Sequence, residues 1–309
     1  MKKYIVSIFA FSLFFATASA QQEAMYSQYM FNSLAINPAY AGSRNITSAT
    51  ALARNQWIGV DGAPKTLTLT IDAPINEKKI GLGLQVFTDK IGVTQTTGAI
   101  ASYAYRIRML RKGTLSFGLQ GGYSQYSALL STVPLNTGSQ TDVAFIGDVN
   151  KGLLNLGAGV YYNSDRFYIG LSAPQILNNK LDNFDVKVDN VYSGRAMHLF
   201  LATGYVIPLN YDLDLKTSTL IKGVKGAPLQ ADLNANLWIK NTIAFGLQYR
   251  TSADIGAMIE LQASPQIRLG YAYDRSTTKL VEFNSGSHEI MLRYEFGYDK
   301  GKIVSPRFF

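Results

Sequence analysis

Apolar and polar residues alternate with a period of two along most of the chain beyond residue 46, and the run from His288 to Tyr298 shows it in one line. Ile290, Leu292, Tyr294, Phe296 and Tyr298 fall on one face of a strand, while Glu289, Met291, Arg293, Glu295 and Gly297 fall on the other. The same alternation predicts fourteen strands, at about 47–58, 65–73, 79–89, 93–105, 113–124, 153–163, 165–173, 195–208, 212–221, 228–240, 242–251, 254–262, 265–274 and 288–298. The tenth strand is clean: Leu229, Ala231, Leu233, Ala235, Leu237 and Ile239 oppose Gln230, Asp232, Asn234, Asn236 and Trp238.

A soluble sandwich and a membrane barrel both alternate in this way, and they differ in which face meets water. The sandwich turns its oily faces inward; the barrel turns them to lipid and encloses the polar ones. The connections favour the barrel. With both chain ends on the periplasmic side, outside loops follow odd-numbered strands and are the long ones. The three longest connections, 125–152, 174–194 and 275–287, follow strands five, seven and thirteen. Tight turns at Asn163-Ser164-Asp165, Lys240-Asn241 and Ala263-Ser264 follow strands six, ten and twelve. Tyr123, Tyr162, Tyr249 and Phe296 near strand ends suit aromatic girdles. The expected fold is therefore all-β, a transmembrane antiparallel up-and-down barrel of about fourteen strands spanning 47–298.

Composition narrows the setting. Lys2 and Lys3, an apolar run from Tyr4 to Phe15 and the small residues Ala18-Ser19-Ala20 read as a signal peptide over 1–20, cut between Ala20 and Gln21. Its removal lowers the formal net charge from +8 to +6. That mild excess points to anionic lipid head groups or acidic partners, not to nucleic acid. There is no cysteine, so no disulfide framework and no thiolate site are available. No later apolar run reaches the roughly 20 residues that a spanning helix needs, which leaves a barrel as the only way into a bilayer.

Several stretches could carry chemistry. Segment 21–46 does not alternate; it is either a plug or docking element that enters the lumen or sits at the periplasmic mouth, or a lead-in ordered only where it touches the first strand. In the first strand Leu52, Arg54 and Gln56 share one face and Ala53, Asn55 and Trp57 the other. A lumenal Arg54 could pair with carboxylates of the closing strands, or clamp 21–46. The basic run Arg106, Arg108, Arg111 and Lys112 would sit on a periplasmic turn and could meet an acidic partner or head groups. His198 faces the lumen and His288 starts the last strand. Two distant histidines make neither a catalytic triad nor a metal site, so no enzyme and no cofactor is expected. Glycine runs at 81–83 and 118–122 lie within strands, which excludes a phosphate-binding loop.

Gln28-Tyr29-Met30-Phe31-Asn32, then Asn37-Pro38-Ala39-Tyr40-Ala41-Gly42, then Arg54-Asn55-Gln56-Trp57 resemble the amino-terminal signature of the PorP/SprF family of type IX secretion. Ser287-His288-Glu289 is similar to the start of that family's last strand, and Ser305-Pro306-Arg307-Phe308-Phe309, in the tail 299–309, to its carboxyl end. The resemblance covers the expected mature chain. It implies an outer-membrane barrel that partners either periplasmic ring and peptidoglycan-binding proteins of the secretion motor, or the carboxyl-terminal domain of a large secreted protein such as a gliding adhesin. On the residues alone, a transporter for small hydrophobic molecules and a plain porin stand as alternatives.

Overall fold

Strands whose two faces differ this sharply can satisfy both faces and all their backbone groups only by closing on themselves, because an open edge in lipid leaves amides unpaired. The computed structural model describes residues 25–109, 113–133, 147–177, 179–180, 194–195, 197–224 and 227–297. It shows that closure. Fourteen antiparallel strands form one barrel: β1 (Ser48–Asn55), β2 (Lys65–Ile75), β3 (Ile80–Ile91), β4 (Thr94–Arg108), β5 (Thr114–Ala128), β6 (Val149–Asn163), β7 (Phe167–Ala173), β8 (His198–Pro208), β9 (Leu213–Val224), β10 (Gln230–Ile239), β11 (Ile243–Arg250), β12 (Asp254–Gln262), β13 (Ile267–Ser276) and β14 (Ser287–Glu295). Each pairs with its neighbour in sequence, and β1 closes on β14 with Ser48 opposite Glu295 and Arg54 opposite Glu289. Backbone pairing of Asn179–Lys180 with Gly194–Arg195 adds a short ribbon to the connection between β7 and β8.

The fold expectation holds, strand count included. On β2, Leu67, Leu69 and Ile71 point outward while Thr66, Thr68, Thr70 and Asp72 point in. On β14, Ile290 and Leu292 are exposed and Glu289, Met291 and Arg293 are buried. No helix among the described residues is long and apolar enough to cross a membrane, as suits a chain that crosses with strands.

The boundaries differ where the chain leaves the apolar belt. β5 runs to Ala128 and β6 starts at Val149, so their hairpin stands taller than alternation suggests. Beyond lipid both faces can be polar, as in Ser124-Gln125-Tyr126-Ser127, and the period fades while the hydrogen-bond ladder continues. β1 stops at Asn55, because Trp57 takes a left-handed conformation (φ 50°). Gln56 and Trp57 therefore lie on the outer β1–β2 loop and not in the strand, a correction to the sequence reading. The proposed leader 1–20 with its cleavage site, and the tail 299–309, lie outside the described residues.

Alternation alone suggests a wet lumen lined by charge. Instead, a buried apolar cluster sits inside the barrel. Tyr29, Met30, Phe31, Leu34 and Tyr40 of the inner segment pack on Leu52, Tyr161, Tyr168, Phe200, Leu220 and Met291 of the wall.

Candidate functional site

Residues 25–46 run the length of the lumen. Three short 3-10 turns, Tyr29–Phe31, Ser33–Ala35 and Pro38–Tyr40, keep the segment narrow enough to fit. The last turn is set by its own sequence. Pro38 supplies a helical φ at the first position, and the Asn37 side chain accepts a hydrogen bond from Ala39 N at 2.9 Å. The other end of the Asn37 amide, Nδ2, donates to the Val160 carbonyl at 3.1 Å, tying the turn to β6.

The wall beneath this turn is shaped for it. Gly81, Ala104, Gly118, Gly159 and Ser172 are consecutive cross-strand neighbours on β3, β4, β5, β6 and β7, so they form a trough of small inward positions. A Cβ on Gly118 would lie 2.1 Å from Ala39 N, and one on Gly81 1.9 Å from the Ala41 carbonyl oxygen. Both obstacles are backbone and cannot swing aside. Gly42 then reverses the chain with φ 70°, and its N–H donates to Asp72 Oδ2 at 2.8 Å. Small residues at inward parity on successive strands are a signal the sequence carried; no single-strand pattern exposes it.

Toward the outer end, charges hold the segment. Arg54 Nη1 donates to Asp274 Oδ2 at 2.7 Å, to Glu289 Oε2 at 3.0 Å and to Ser27 Oγ at 2.8 Å. Glu289 also accepts from the backbone N–H groups of Ser27 and Gln28, at 2.9 and 2.8 Å, and the Ser27 hydroxyl donates to Asp274. Two carboxylates thus share one guanidinium, and two backbone donors share in neutralising them. All three side chains are essentially inaccessible to solvent. Two strands beyond β13, on β11, Arg250 pairs with Asp232 at 2.9 Å and with Asp254 at 3.3 Å, and donates to the Tyr26 carbonyl. Between these groups Tyr29 donates to Ser218 and accepts from Asn234.

Toward the periplasmic end Arg44 forks onto Glu295, with Nε at 2.9 Å. Arg106 corrects another expectation. It lies within β4, points into the lumen, and donates to Asn45 Oδ1 at 2.9 Å and to the Lys78 carbonyl at 3.2 Å, so it is not part of an exposed basic turn. Arg108 is exposed at that end, and Arg111 and Lys112 lie outside the described residues.

At the outer mouth, the loops on either side of the seam are joined. Ile58 N donates to the Gly286 carbonyl, Ser285 N to the Ile58 carbonyl, and Trp57 N to Ser287 Oγ. Ile58, Val60, Leu280 and Phe283 are exposed on these loops. Much of the other two long loops, 134–146 and 181–193, lies outside the described residues. The two histidines stand on opposite sides of the wall: His198 is buried inside, and His288 bonds Tyr271 on the outer face. Among the described residues no three histidine or acidic side chains gather as metal ligands would.

Solved structures similar to this one are outer-membrane barrels. The Ralstonia pickettii toluene transporter TbuX aligns with TM-score 0.50 at 8% identity, covering 85% of this chain and 92% of that one. A Pseudomonas aeruginosa FadL homologue aligns with TM-score 0.46 at 13% identity, covering 91% and 97%. The Acinetobacter baumannii outer membrane protein Omp33 aligns with TM-score 0.46 at 9% identity, covering 81% and 98%. At such identities the likeness speaks to the fold alone. A comparison with curated proteins gives no match. The family model described as type IX secretion system membrane protein PorP/SprF matches residues 18–294, which takes in both the inner segment and the barrel, and the chain accordingly belongs to that family, as an outer-membrane component of type IX secretion.

Proposed function

We propose that this barrel works by binding and not by passage: it is a platform that holds the carboxyl-terminal domain of a secreted protein at the cell surface and meets the secretion apparatus from the periplasm. The observation that carries this reading is the filled lumen. Residues 25–46 are seated in a glycine trough and clamped by buried ion pairs, which leaves the two mouths as the working surfaces. Outside, the loops within 125–152, 174–194 and 275–287 are the docking elements; exposed Leu280 and Phe283 beside Ile58 and Val60 supply apolar area of the kind that protein partners cover. Inside, exposed Arg108 at the end of β4, followed in sequence by Arg111 and Lys112, supplies positive charge for an acidic periplasmic ring or peptidoglycan-binding protein.

A transporter for small hydrophobic molecules needs a route past the inner segment. Among the described residues, a cavity beside that segment, about 30 Å³ and lined by Met25, Tyr26, Tyr29, Ala35, Ile36, Phe200 and Leu220, has room for little more than a water or two. A pull-down tests the platform. Deleting 278–284 and replacing Ile58 and Val60 with serine is expected to release the secreted partner's carboxyl-terminal domain from the cell surface while the barrel stays in the membrane. Undiminished retention would count against the outer half of the proposal.

A further inference from the structure

Two lysines stand side by side on the lipid-facing side of the wall, at its outer rim. Lys65 opens β2 and Lys90 lies near the end of β3, and the two are direct partners in the ladder. Both are exposed, and they share the outward parity of Leu67 and Val86. Side chains opposed in this way start about 5 Å apart, and like charges so placed destabilise a sheet. The row continues with Asn55 on β1, opposite Lys65, and Gln95 on β4, opposite Lys90, both exposed. Beyond the strand ends the N–H of Gly92 donates to the Gly62 carbonyl at 2.7 Å, which braces together the two backbones that carry the lysines.

Acidic groups do not offset the pair. Asp89 precedes Lys90 but has the opposite parity, and it accepts from Thr66 Oγ1 at 2.6 Å. Asp61 is exposed on the β1–β2 loop; counted in full, it still leaves one positive charge over. Among the described residues no carboxylate oxygen lies within 4 Å of either ammonium group. The outward positions of β1 to β5 hold neither Asp nor Glu.

Below the lysines the wall changes in a fixed order. One tier toward the bilayer centre, Thr88 and Thr97 bond to each other at 3.1 Å, and Gln95 Nε2 reaches both, at 3.4 and 3.3 Å. Leu69 opposite Val86 and Ile71 opposite Leu84 follow, all exposed, as part of the apolar belt. Charge, then hydroxyls, then hydrocarbon matches the order of groups along a lipid: a phosphate, its polar linkage and its acyl chains. An acidic protein or a soluble anion would meet only the first tier.

We propose that Lys65 and Lys90 bind the phosphate of an outer-leaflet glycolipid, a phosphorylated sugar lipid of the lipid A type, with the Asn55 and Gln95 amides beside its sugar and its acyl chains along Leu67, Leu69 and Val86. Two ammonium groups on flexible stems reach one phosphate from neighbouring strands, so their mutual repulsion becomes a shared attraction. The bound lipid would fix the height of the β1–β2 loop, with its exposed Ile58 and Val60, above the bilayer. The site lies on the outside of the wall and does not rest on the platform reading, so either can fail without the other.

The test uses the purified mature barrel in uncharged detergent micelles doped with monophosphorylated lipid A, or with the same lipid after its phosphate has been removed, and native mass spectrometry counts the lipid retained. The wild-type barrel is expected to keep one phosphorylated lipid in preference to the dephosphorylated form. Lys65→Gln combined with Lys90→Gln should weaken retention about thirtyfold. Lys79→Gln combined with Lys240→Gln removes the same charge from exposed periplasmic turns and should leave retention unchanged. Inorganic phosphate at matched ionic strength should not displace the lipid. Equal retention of the two lipids by the wild-type barrel, unchanged retention without Lys65 and Lys90, an equal loss in the periplasmic pair, or displacement by free phosphate would each overturn the proposal.

Discussion

Replacing Arg54 with methionine is expected to lower the unfolding free energy by about 3–5 kcal/mol, the usual consequence of removing one partner from a buried ion pair. The substitution leaves Asp274 and Glu289 facing each other without a cation, in a region with no solvent access. Glu289→Gln should be milder, because it removes one negative charge while an amide oxygen still accepts from Ser27 N or Gln28 N. Denaturant unfolding in detergent reads the difference as a shift in midpoint. Methionine at 54 with an unchanged midpoint would show that the Arg54 cluster does not hold the structure. The cluster also links two events. Arg54 and Glu289 are opposite one another across the β1–β14 seam, and the same carboxylate receives the inner segment. Closing the barrel and seating the segment therefore use one set of bonds, so Arg54→Met should loosen both.

Gly118→Val is expected to unseat the inner segment while leaving the barrel closed. The added Cβ would meet Ala39 N and Cα at 2.1 and 2.4 Å, and neither the turn nor β5 can move that far without breaking its own hydrogen bonds. Overpacking against side chains usually costs about 1–3 kcal/mol; here both surfaces are backbone, and displacement of the segment is the cheaper outcome. The vacated lumen would be lined by Thr68, Thr70, Gln120 and Asn234 and would pass ions. Gly121→Ala is the control, since among the described residues the only heavy atom within 4 Å of its Cβ would be Leu156 Cδ2, at an ordinary 3.7 Å. Stepwise conductance in Gly118→Val but not in Gly121→Ala is the predicted pair of results in planar bilayers. A silent Gly118→Val variant with wild-type stability would mean that the trough does not seat the segment.

The barrel is readable from the sequence because its governing period is local. Each strand announces which side is inward, and closing β1 on β14 follows from the even count. The inward side of Arg54, and the presence of Asp274 and Glu289 on inward positions of the closing strands, can be read from the same parity. Other features are not local. Arg106 has the parity of Ala104 and Ser102, which are inward, but alternation fades at Tyr105 and the residue is easily assigned to the turn. Trp57 leaves β1 through a left-handed backbone that nothing in its side chain announces. The fit of Pro38–Gly42 depends on glycines 39 to 121 residues further along the chain, brought into one row only by the ladder register. A segment without a period gives no hint of where it packs, and so residues 21–46 read equally as plug or lead-in from sequence; the wall that receives 25–46 is assembled only by the ladder register.

All of these readings share the claim that the lumen is sealed from within. Single-channel recording of the purified mature barrel in planar bilayers tests it most directly. The sealed lumen predicts a flat trace at moderate voltage, with openings appearing only when the trough or the Arg54 cluster is altered; steady porin-like conductance from the unaltered protein would contradict it.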